Sequence, residues 1–339
     1  MLKNLTAFLL LILPFKSFAQ HIELLQQGQP TSIRGLSVVD DNVAWISGSK
    51  GHIAITSDGG KTWDWQQVKG FENTDFRDIE AFSNKEAVIM SSGTPALILK
   101  TMDGGANWQV KYRNMDTAYF FDAMDFAGNK QGYVLVDPIK NKFVLMETKD
   151  GGETWNPFKY PPNALPGEAA FAASGTCLRV DSTNQIDIVT GGRRSRHLIL
   201  IDDKIAPDKW VEIDLKLLHG KASQGAFSIA NGDGTVVVGG DYQKDRLSNS
   251  VAEYWYPIDE HSGATSLAKT PPAGFQSCVE YITGKTFLST GTPGSNITTD
   301  GGKSWNKIDG TSYNVCRKAK HGKLVLLAGN GGKIGILKP

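Results

Sequence analysis

Short apolar segments separated by turn-forming residues follow one another along most of the chain. The first group covers residues 33–39, 43–47, 52–56 and 62–68, and the polar cluster Asp40-Asp41-Asn42 separates its first two segments. Segments of this length that end in Asp, Asn or Gly predict β-strands joined by tight turns. No apolar pattern with the helical period is long enough to predict a helix, so we predict an all-β protein.

One turn motif recurs after the third segment of several groups. Its first copy is Ser57-Asp58-Gly59-Gly60-Lys61-Thr62-Trp63, and further copies occupy residues 101–108, 149–155 and 299–305. We expect the Asp side chain to hydrogen-bond the turn backbone and the paired glycines to adopt positive φ. We also expect the Thr or Ser to start the next strand and the Trp to add apolar surface beside the turn.

The tryptophans give the length of the repeat. Trp63, Trp108, Trp155, Trp210, Trp255 and Trp305 are separated by 45, 47, 55, 45 and 50 residues. Repeats of about 40 to 50 residues with four strands each are typical of β-propeller blades. Seven blades account for the chain, at 31–70, 71–114, 115–161, 162–217, 218–272, 273–311 and 312–339.

The seventh blade is one strand short, and residues 21–28 belong to no other repeat. We therefore predict that this N-terminal segment forms the outer strand of blade seven, which closes the ring and removes a free sheet edge. In blade four we predict that one long inner strand covers residues 168–180. Residues 20–339 are then a single domain.

The motif Asp58-Gly59-Gly60-x-Thr62-Trp63 resembles the Asp-box, which is also called the bacterial neuraminidase repeat. Together with the strand starts Ile33-Arg34-Gly35 and Phe76-Arg77-Asp78, the pattern is similar to the seven-bladed propellers of photosystem II assembly and stability factors. This resemblance implies the propeller fold and an exported, non-enzymatic binding protein. It is specific for fold and weak for function, because one fold carries many activities.

The first residues have the layout of a secretory signal peptide. Lys3 supplies a basic start, residues 5–15 are apolar, and Ser17-Phe18-Ala19 places small residues at a cleavage site. We therefore expect cleavage after Ala19 and a periplasmic or secreted protein. No later segment is long and apolar enough to predict a membrane span.

Charge and cysteine content narrow the function further. Removal of residues 1–19 leaves 34 basic and 35 acidic residues, which argues against general nucleic-acid binding. Cys177, Cys278 and Cys316 fall on predicted inner strands of different blades. Packed sheets lie about 10 Å apart, whereas a disulfide needs Cα atoms within about 7 Å. We therefore favour three free, buried thiols over a Cys278–Cys316 bridge.

The candidate site is the mouth of the axial channel at which the inner strands begin. The Asp-Gly-Gly turns lie at the opposite mouth, and we assign them to the scaffold. Polar residues that begin the inner strands or follow the second strands converge on the candidate mouth. We predict the ligand-binding residues to be Arg34, Arg77, Asp122, Glu168, Gln276, Asn314, Asp137, Asp241 and Tyr242. The alternative is that these residues pair with each other and with channel water.

Asp122 and Glu168 come from adjacent blades and support a second hypothesis, a glycan-active hydrolase that uses them as its carboxyl pair. Glycosidases hold such pairs about 5 Å or about 6.5–9.5 Å apart, a distance that the sequence does not supply. Phe76-Arg77-Asp78-Ile79 departs from the Phe/Tyr-Arg-Ile-Pro motif that a sialidase would show.

Other chemistry is weakly indicated. The histidines have no H-x-H or H-E-x-x-H spacing, so we predict no metal site. The glycine-rich stretch 329–335 has no βαβ context, which argues against a nicotinamide oxidoreductase and leaves glycoside hydrolysis as the favoured activity of any enzyme. We expect no cofactor and a monomer that binds a protein, a small molecule or a glycan.

Overall fold

The computed structural model describes residues 20–201, 209–257 and 263–339. In these residues the chain forms β-strands and turns and no α-helix. The strands make seven antiparallel sheets, and each inner strand packs against the next around a closed ring. The predicted all-β, seven-bladed propeller is therefore confirmed. The predicted signal peptide, residues 1–19, lies outside the described residues.

The strands of each blade follow one another from the axis outwards. Blade one contains Ile33–Val38, Ala44–Gly48, His52–Thr56 and Asp64–Gln67. Blade two contains Phe76–Ala81, Ala87–Ser91, Ala96–Thr101 and Gln109–Asn114. Blade three contains Phe121–Ala127, Gln131–Ile139, Lys142–Thr148 and Asn156–Pro157. Blade four contains Leu178–Val180, Ile186–Val189, Arg196–Leu200 and Trp210–Asp214.

The remaining blades have the same order. Blade five contains Gln224–Asn231, Thr235–Asp241, Ala252–Pro257 and Gly263–Leu267, and the short strands Gly191–Gly192 and Glu168–Ala169 extend its inner edge. Blade six contains Cys278–Thr283, Thr286–Gly291, Gly294–Thr298 and Asn306–Asp309. Blade seven contains Val315–Lys318, Val325–Gly329, Lys333–Lys338 and, outermost, His21–Gln26.

The N-terminal strand closes the ring as predicted. His21–Gln26 pairs antiparallel with Lys333–Lys338, and Ile22 lies opposite Leu337. Ile22 is buried in the apolar cluster between blades seven and one. The pairing satisfies the backbone groups of an edge that would otherwise face solvent.

In each Asp-Gly-Gly turn the aspartate carboxylate accepts hydrogen bonds that hold the turn together. In the first turn Asp58 Oδ1 accepts from Thr62 N at 2.9 Å and Asp58 Oδ2 accepts from Thr62 Oγ1 at 2.6 Å. These bonds lower the pKa of Asp58 to about 2, and Gly59 and Gly60 have φ of 75° and 87°. The next strand begins at Asp64 and not at Thr62, so that prediction is wrong. The Thr62 hydroxyl donates to Asp58 and therefore keeps Thr62 in the turn.

The cysteines are free and buried, as predicted, but the distance argument behind that prediction is wrong for one pair. Cys278 Sγ lies 3.3 Å from Cys316 O and 3.4 Å from Cys316 N. The inner strands of blades six and seven are therefore in direct contact at these residues, which is closer than the general separation of about 10 Å between packed sheets. Cys177 precedes the inner strand of blade four rather than lying in it.

Candidate functional site

A β-bulge near the start of the inner strand is shared by four blades. The strand pairing shifts at Arg34, Arg77, Asp122 and Phe227, each of which is the extra residue. A bulge bends its strand and re-aims the side chain of the extra residue. The structure therefore places three of the predicted site residues at equivalent positions, at the mouth that we call the start mouth. The fourth bulge carries an aromatic residue that the sequence analysis missed.

The inner strand of blade four differs from the sequence prediction. Leu178–Val180 is the inner strand of blade four, whereas Glu168–Ala169 pairs with Gly191–Gly192 in the sheet of blade five, and residues 170–177 connect the two. We call residues 170–177 the axial plug. Gly175 within it has φ of 70°, and a Cβ atom there would lie 2.0 Å from Asp78 Oδ2. A glycine is thus required where the plug turns against blade two.

The axial plug contacts blades on the far side of the ring. Arg34 Nη1 donates to Ala173 O at 3.2 Å. Arg77 Nη1 donates to Ala172 O at 3.4 Å. Ser174 Oγ donates to Ser277 O in blade six at 2.7 Å. Because the plug begins in blade four and reaches blades one, two and six, it crosses the axis beneath the start mouth. Both arginines therefore hold the plug in place.

Glu168 anchors the plug in blade four. Its carboxylate accepts from Arg196 Nη2 at 2.6 Å and Nε at 2.8 Å, from Thr190 Oγ1 at 2.6 Å and from Leu165 N at 2.7 Å. The side chain is fully buried. Four donors satisfy the two carboxylate oxygens, so Glu168 has the environment of a structural ion pair.

Asp122 is also buried, but in a different environment. Neither of its carboxyl oxygens has a hydrogen-bond partner among the described residues, and the residue is 1% exposed. Burial raises its pKa well above the usual range, the Asp137 charge raises it further, and Arg77 acts in the opposite direction. These conditions favour the protonated form. Neither Asp122 nor Glu168 is exposed enough to meet a glycan.

Most of the other predicted site residues are held by near neighbours. Asp137 accepts from Ala170 N at 3.3 Å, Asp241 from Gln224 Nε2 at 3.0 Å and Gln276 from Asn296 Nδ2 at 3.2 Å, while Asn314 Nδ2 donates to Ile33 O at 2.9 Å. These contacts correspond to the alternative in which the polar residues pair internally. Tyr242 differs, because it is 48% exposed.

Tyr242 belongs to an aromatic group that borders the plug at the start mouth. Phe171 stacks on Phe227 with ring centroids 3.8 Å apart, and Phe275 meets Phe227 edge-on at 4.7 Å. Tyr242 lies edge-on to Phe227 at 6.2 Å. We call these four residues the aromatic group. Three of them were not predicted, although Phe227 occupies the bulge position and could have been found by aligning the inner strands.

The arginine side of the start mouth stays partly exposed. Arg77 Nε pairs with Asp75 Oδ2 at 2.8 Å, and both side chains keep about a third of their surface. The Arg77 guanidinium also lies over the Phe120 ring at 5.8 Å. Burial lowers the pKa of Arg34, and the neighbouring Arg77 charge lowers it further. The start mouth thus presents arginine and aromatic side chains above a filled channel.

The opposite mouth, where the inner strands end, contains a cavity of about 710 Å³. Charged residues at equivalent inner-strand positions line it, namely Glu80, Asp125, Arg179, Glu280 and Arg317. Arg179 Nη2 lies 2.6 Å from Glu280 Oε2, and Arg317 Nη1 lies 3.7 Å from the same oxygen. These residues were not predicted from the sequence, because this mouth carries the Asp-Gly-Gly turns of the scaffold. Charged residues in otherwise apolar strands are a feature of the sequence from which this cavity lining could have been predicted.

Metal-binding clusters and membrane-spanning helices are both absent from residues 20–201, 209–257 and 263–339. Within these ranges no cluster of three or more His, Cys, Asp or Glu side chains could hold a metal ion. Within the same ranges no helix is long and apolar enough to span a membrane.

Fold and site together define a seven-bladed β-propeller whose axial channel is plugged at the start mouth. Residues 18–114 match the family model of the photosynthesis system II assembly factor YCF48. The photosystem II assembly lipoprotein Ycf48 of Synechococcus sp. (strain CC9902) is 29% identical over 140 residues. That match covers 40% of this chain and 38% of the relative's length. The resemblance to photosystem II assembly-factor propellers is thereby confirmed.

Solved structures share the fold at low sequence identity. A YCF48 bound to a D1 peptide superposes with a TM-score of 0.67 at 15% identity, over 95% of this chain and 96% of that one. YCF48 from Cyanidioschyzon merolae gives 0.66 at 14% identity, over 93% and 98%. Virginiamycin B lyase from Staphylococcus aureus gives 0.67 at 13% identity, over 95% and 100%. Because an enzyme is among them, these likenesses show the fold alone.

Proposed function

We propose that this chain is an exported, non-enzymatic, assembly-factor-like propeller that binds a protein partner at its start mouth. The observation that carries the proposal is the surface formed there by Arg77 and Tyr242 above the axial plug. Arginine and tyrosine are, with tryptophan, the residue types most enriched among binding hot spots. Arg77 and Tyr242 both keep exposed surface, whereas seven of the eight plug residues are buried beneath them.

The start mouth is pre-organised for binding. The plug is held by Arg34, Arg77 and Ser277 from three other blades and by the Glu168–Arg196 pair at its beginning. A surface fixed in this way loses little conformational entropy when a partner docks. A protein partner suits such a filled mouth better than a small molecule, which needs a concave pocket.

The similarity to Ycf48 supports a protein partner. The relative is named as a photosystem II assembly lipoprotein, and a solved YCF48 is bound to a D1 peptide. The region that matches the family model, residues 18–114, includes Arg34 and Arg77. The lipoprotein relative and the signal-peptide pattern of residues 1–19 both support export.

The glycan-hydrolase hypothesis gains no support from the site. A general acid or nucleophile must meet the substrate at hydrogen-bond distance. Glu168 is fully engaged with Arg196, and Asp122 is 1% exposed. The buried pair is better explained as part of the scaffold that carries the plug.

Charge reversal at the start mouth tests the proposal. A tagged chain expressed in its native host should co-purify a specific partner, and Arg77→Glu and Tyr242→Ala should each weaken that complex. Loss of a hot-spot side chain costs about 2 kcal/mol or more, which is roughly thirtyfold in affinity. Lys61→Glu, an exposed reversal in an Asp-Gly-Gly turn on the opposite face, is the matched control. Equal recovery of the partner with all three variants would refute the proposed surface.

A further inference from the structure

Blades four and five enclose a pocket of about 340 Å³ that is separate from both mouths. Its lining comes from the second, third and outer strands of the two blades and includes Asp187, His197, Glu253 and Trp255. The volume lies near the lower end of the range for small-molecule sites, about 300–1,000 Å³. We call it the inter-blade pocket.

Glu253 gives the inter-blade pocket an unsatisfied acceptor. The residue is 1% exposed, and its Oε2 accepts from Lys216 N at 2.7 Å. Its Oε1 is buried and has no hydrogen-bond partner among the described residues. The Lys216 ammonium is directed to Thr265 O at 2.6 Å and not to that oxygen. A buried carboxylate oxygen without a donor is costly, so the pocket favours a ligand that brings one.

The other charged groups make the pocket negative. Asp187 Oδ1 lies 2.6 Å from His197 Nε2, and Asp187 Oδ2 accepts from Gln185 and Asn231 at 2.8 and 2.9 Å. No lysine or arginine is among the residues that line the pocket in the described part of the chain. Two carboxylates therefore face one histidine. The Lys216 ammonium, held on Thr265 O, offsets one of these carboxylates, so the lining keeps a net negative charge and favours a cation while the histidine is neutral.

The remaining lining is apolar and aromatic. Ile199, Leu215 and Val237 form part of the wall. Trp255 is 39% exposed and packs on Gly263, where a Cβ atom would lie 2.2 Å from the indole. An apolar wall accommodates methylene groups, and an indole attracts a cation through its ring face. These features match a short alkyl chain that ends in a charged nitrogen.

We propose that the inter-blade pocket binds a small organic ammonium ion, whose N–H groups donate to Glu253 Oε1. The alkyl part lies against the apolar wall, and Trp255 stands at the exposed side. The pocket shares no residue with the start mouth, so this proposal is independent of the protein-binding function. The same chemical group occurs in free alkylamines and in lysine side chains.

Isothermal titration of the purified protein with n-butylammonium chloride tests the site, with n-butanol as the neutral probe of similar shape. We expect saturable binding of the ammonium ion and none of the alcohol at the same millimolar concentration. Glu253→Gln should lower the affinity at least about tenfold, because it removes a charge-assisted hydrogen bond. Glu147→Gln, which removes a carboxylate from the third strand of blade three, should leave it unchanged.

Trp255→Ala provides a second test that leaves the core intact, and we expect it to weaken binding by about two- to fivefold. A lysine blocked at both backbone termini distinguishes the two sources of the ligand. If both n-butylammonium and the blocked lysine bind, the pocket accepts lysine side chains as well as free amines. If only n-butylammonium binds, its ligand is a free amine. Absence of saturable binding, equal binding of butanol, or unchanged affinity in both Glu253→Gln and Trp255→Ala would overturn the proposal.

Discussion

Replacing Glu168 by glutamine tests whether this residue anchors the axial plug. The wild-type carboxylate neutralises Arg196 and accepts four hydrogen bonds, whereas glutamine keeps one acceptor oxygen and turns an amide NH2 toward the guanidinium. Removing one partner of a buried ion pair costs about 3–5 kcal/mol. Arg196 also pairs with Glu212, which is 48% exposed, so a value near the lower limit, about 3 kcal/mol, is expected.

Urea denaturation and calorimetry measure this loss. A free-energy loss of about 3 kcal/mol corresponds to a drop in melting temperature of roughly 4–5 °C for a domain of about 320 residues, whose unfolding entropy is about 0.7 kcal/mol/K. Glu212→Gln breaks the exposed half of the same network and should cost at most about 1 kcal/mol. A double-mutant cycle of Glu168→Gln with Arg196→Met should show a favourable coupling energy. If Glu168→Gln melted like the wild type, the anchoring role would be refuted.

Two other changes test the architecture. Asp122→Asn should raise the free energy of unfolding increasingly as pH rises from acid to neutral. The raised pKa means that the folded state holds a proton which the unfolded state releases, so the wild type loses stability in that range while asparagine does not titrate. If urea titrations gave the same difference in free energy of unfolding between Asp122→Asn and the wild type at acid and at neutral pH, the raised pKa of Asp122 would be contradicted. Deleting residues 21–26 should lower the melting temperature and promote self-association, because Lys333–Lys338 becomes a free edge. An unchanged melting curve together with a monomeric sedimentation profile would argue against the closing strand.

Local chemistry made the repeats predictable from the sequence. The hydrogen bonds of Asp58 and the positive φ of Gly59 and Gly60 depend on neighbours within the same turn. The closing strand could be predicted by counting strands, because a ring of four-stranded blades leaves one position for residues 21–28. These features follow from short sequence distances or from the closure of the ring.

The axial plug could not be predicted in the same way. Residues 170–177 are small or apolar and resemble a buried strand, yet Gly175 and Ser174 make their contacts with blades two and six. Such contacts depend on how the ring closes and leave no periodic signal. The same holds for the approach of Cys278 to Cys316, which arises from the convergence of inner strands at the axis.

Photo-crosslinking in the native host shows whether a partner docks on the start mouth. A benzophenone amino acid in place of Tyr242, which is 48% exposed, reports on the start mouth. The same group in place of Met102, which is 59% exposed, reports on the opposite face. We expect a specific adduct from position 242 that Arg77→Glu abolishes, and none from position 102. A partner captured only from position 102 would contradict it.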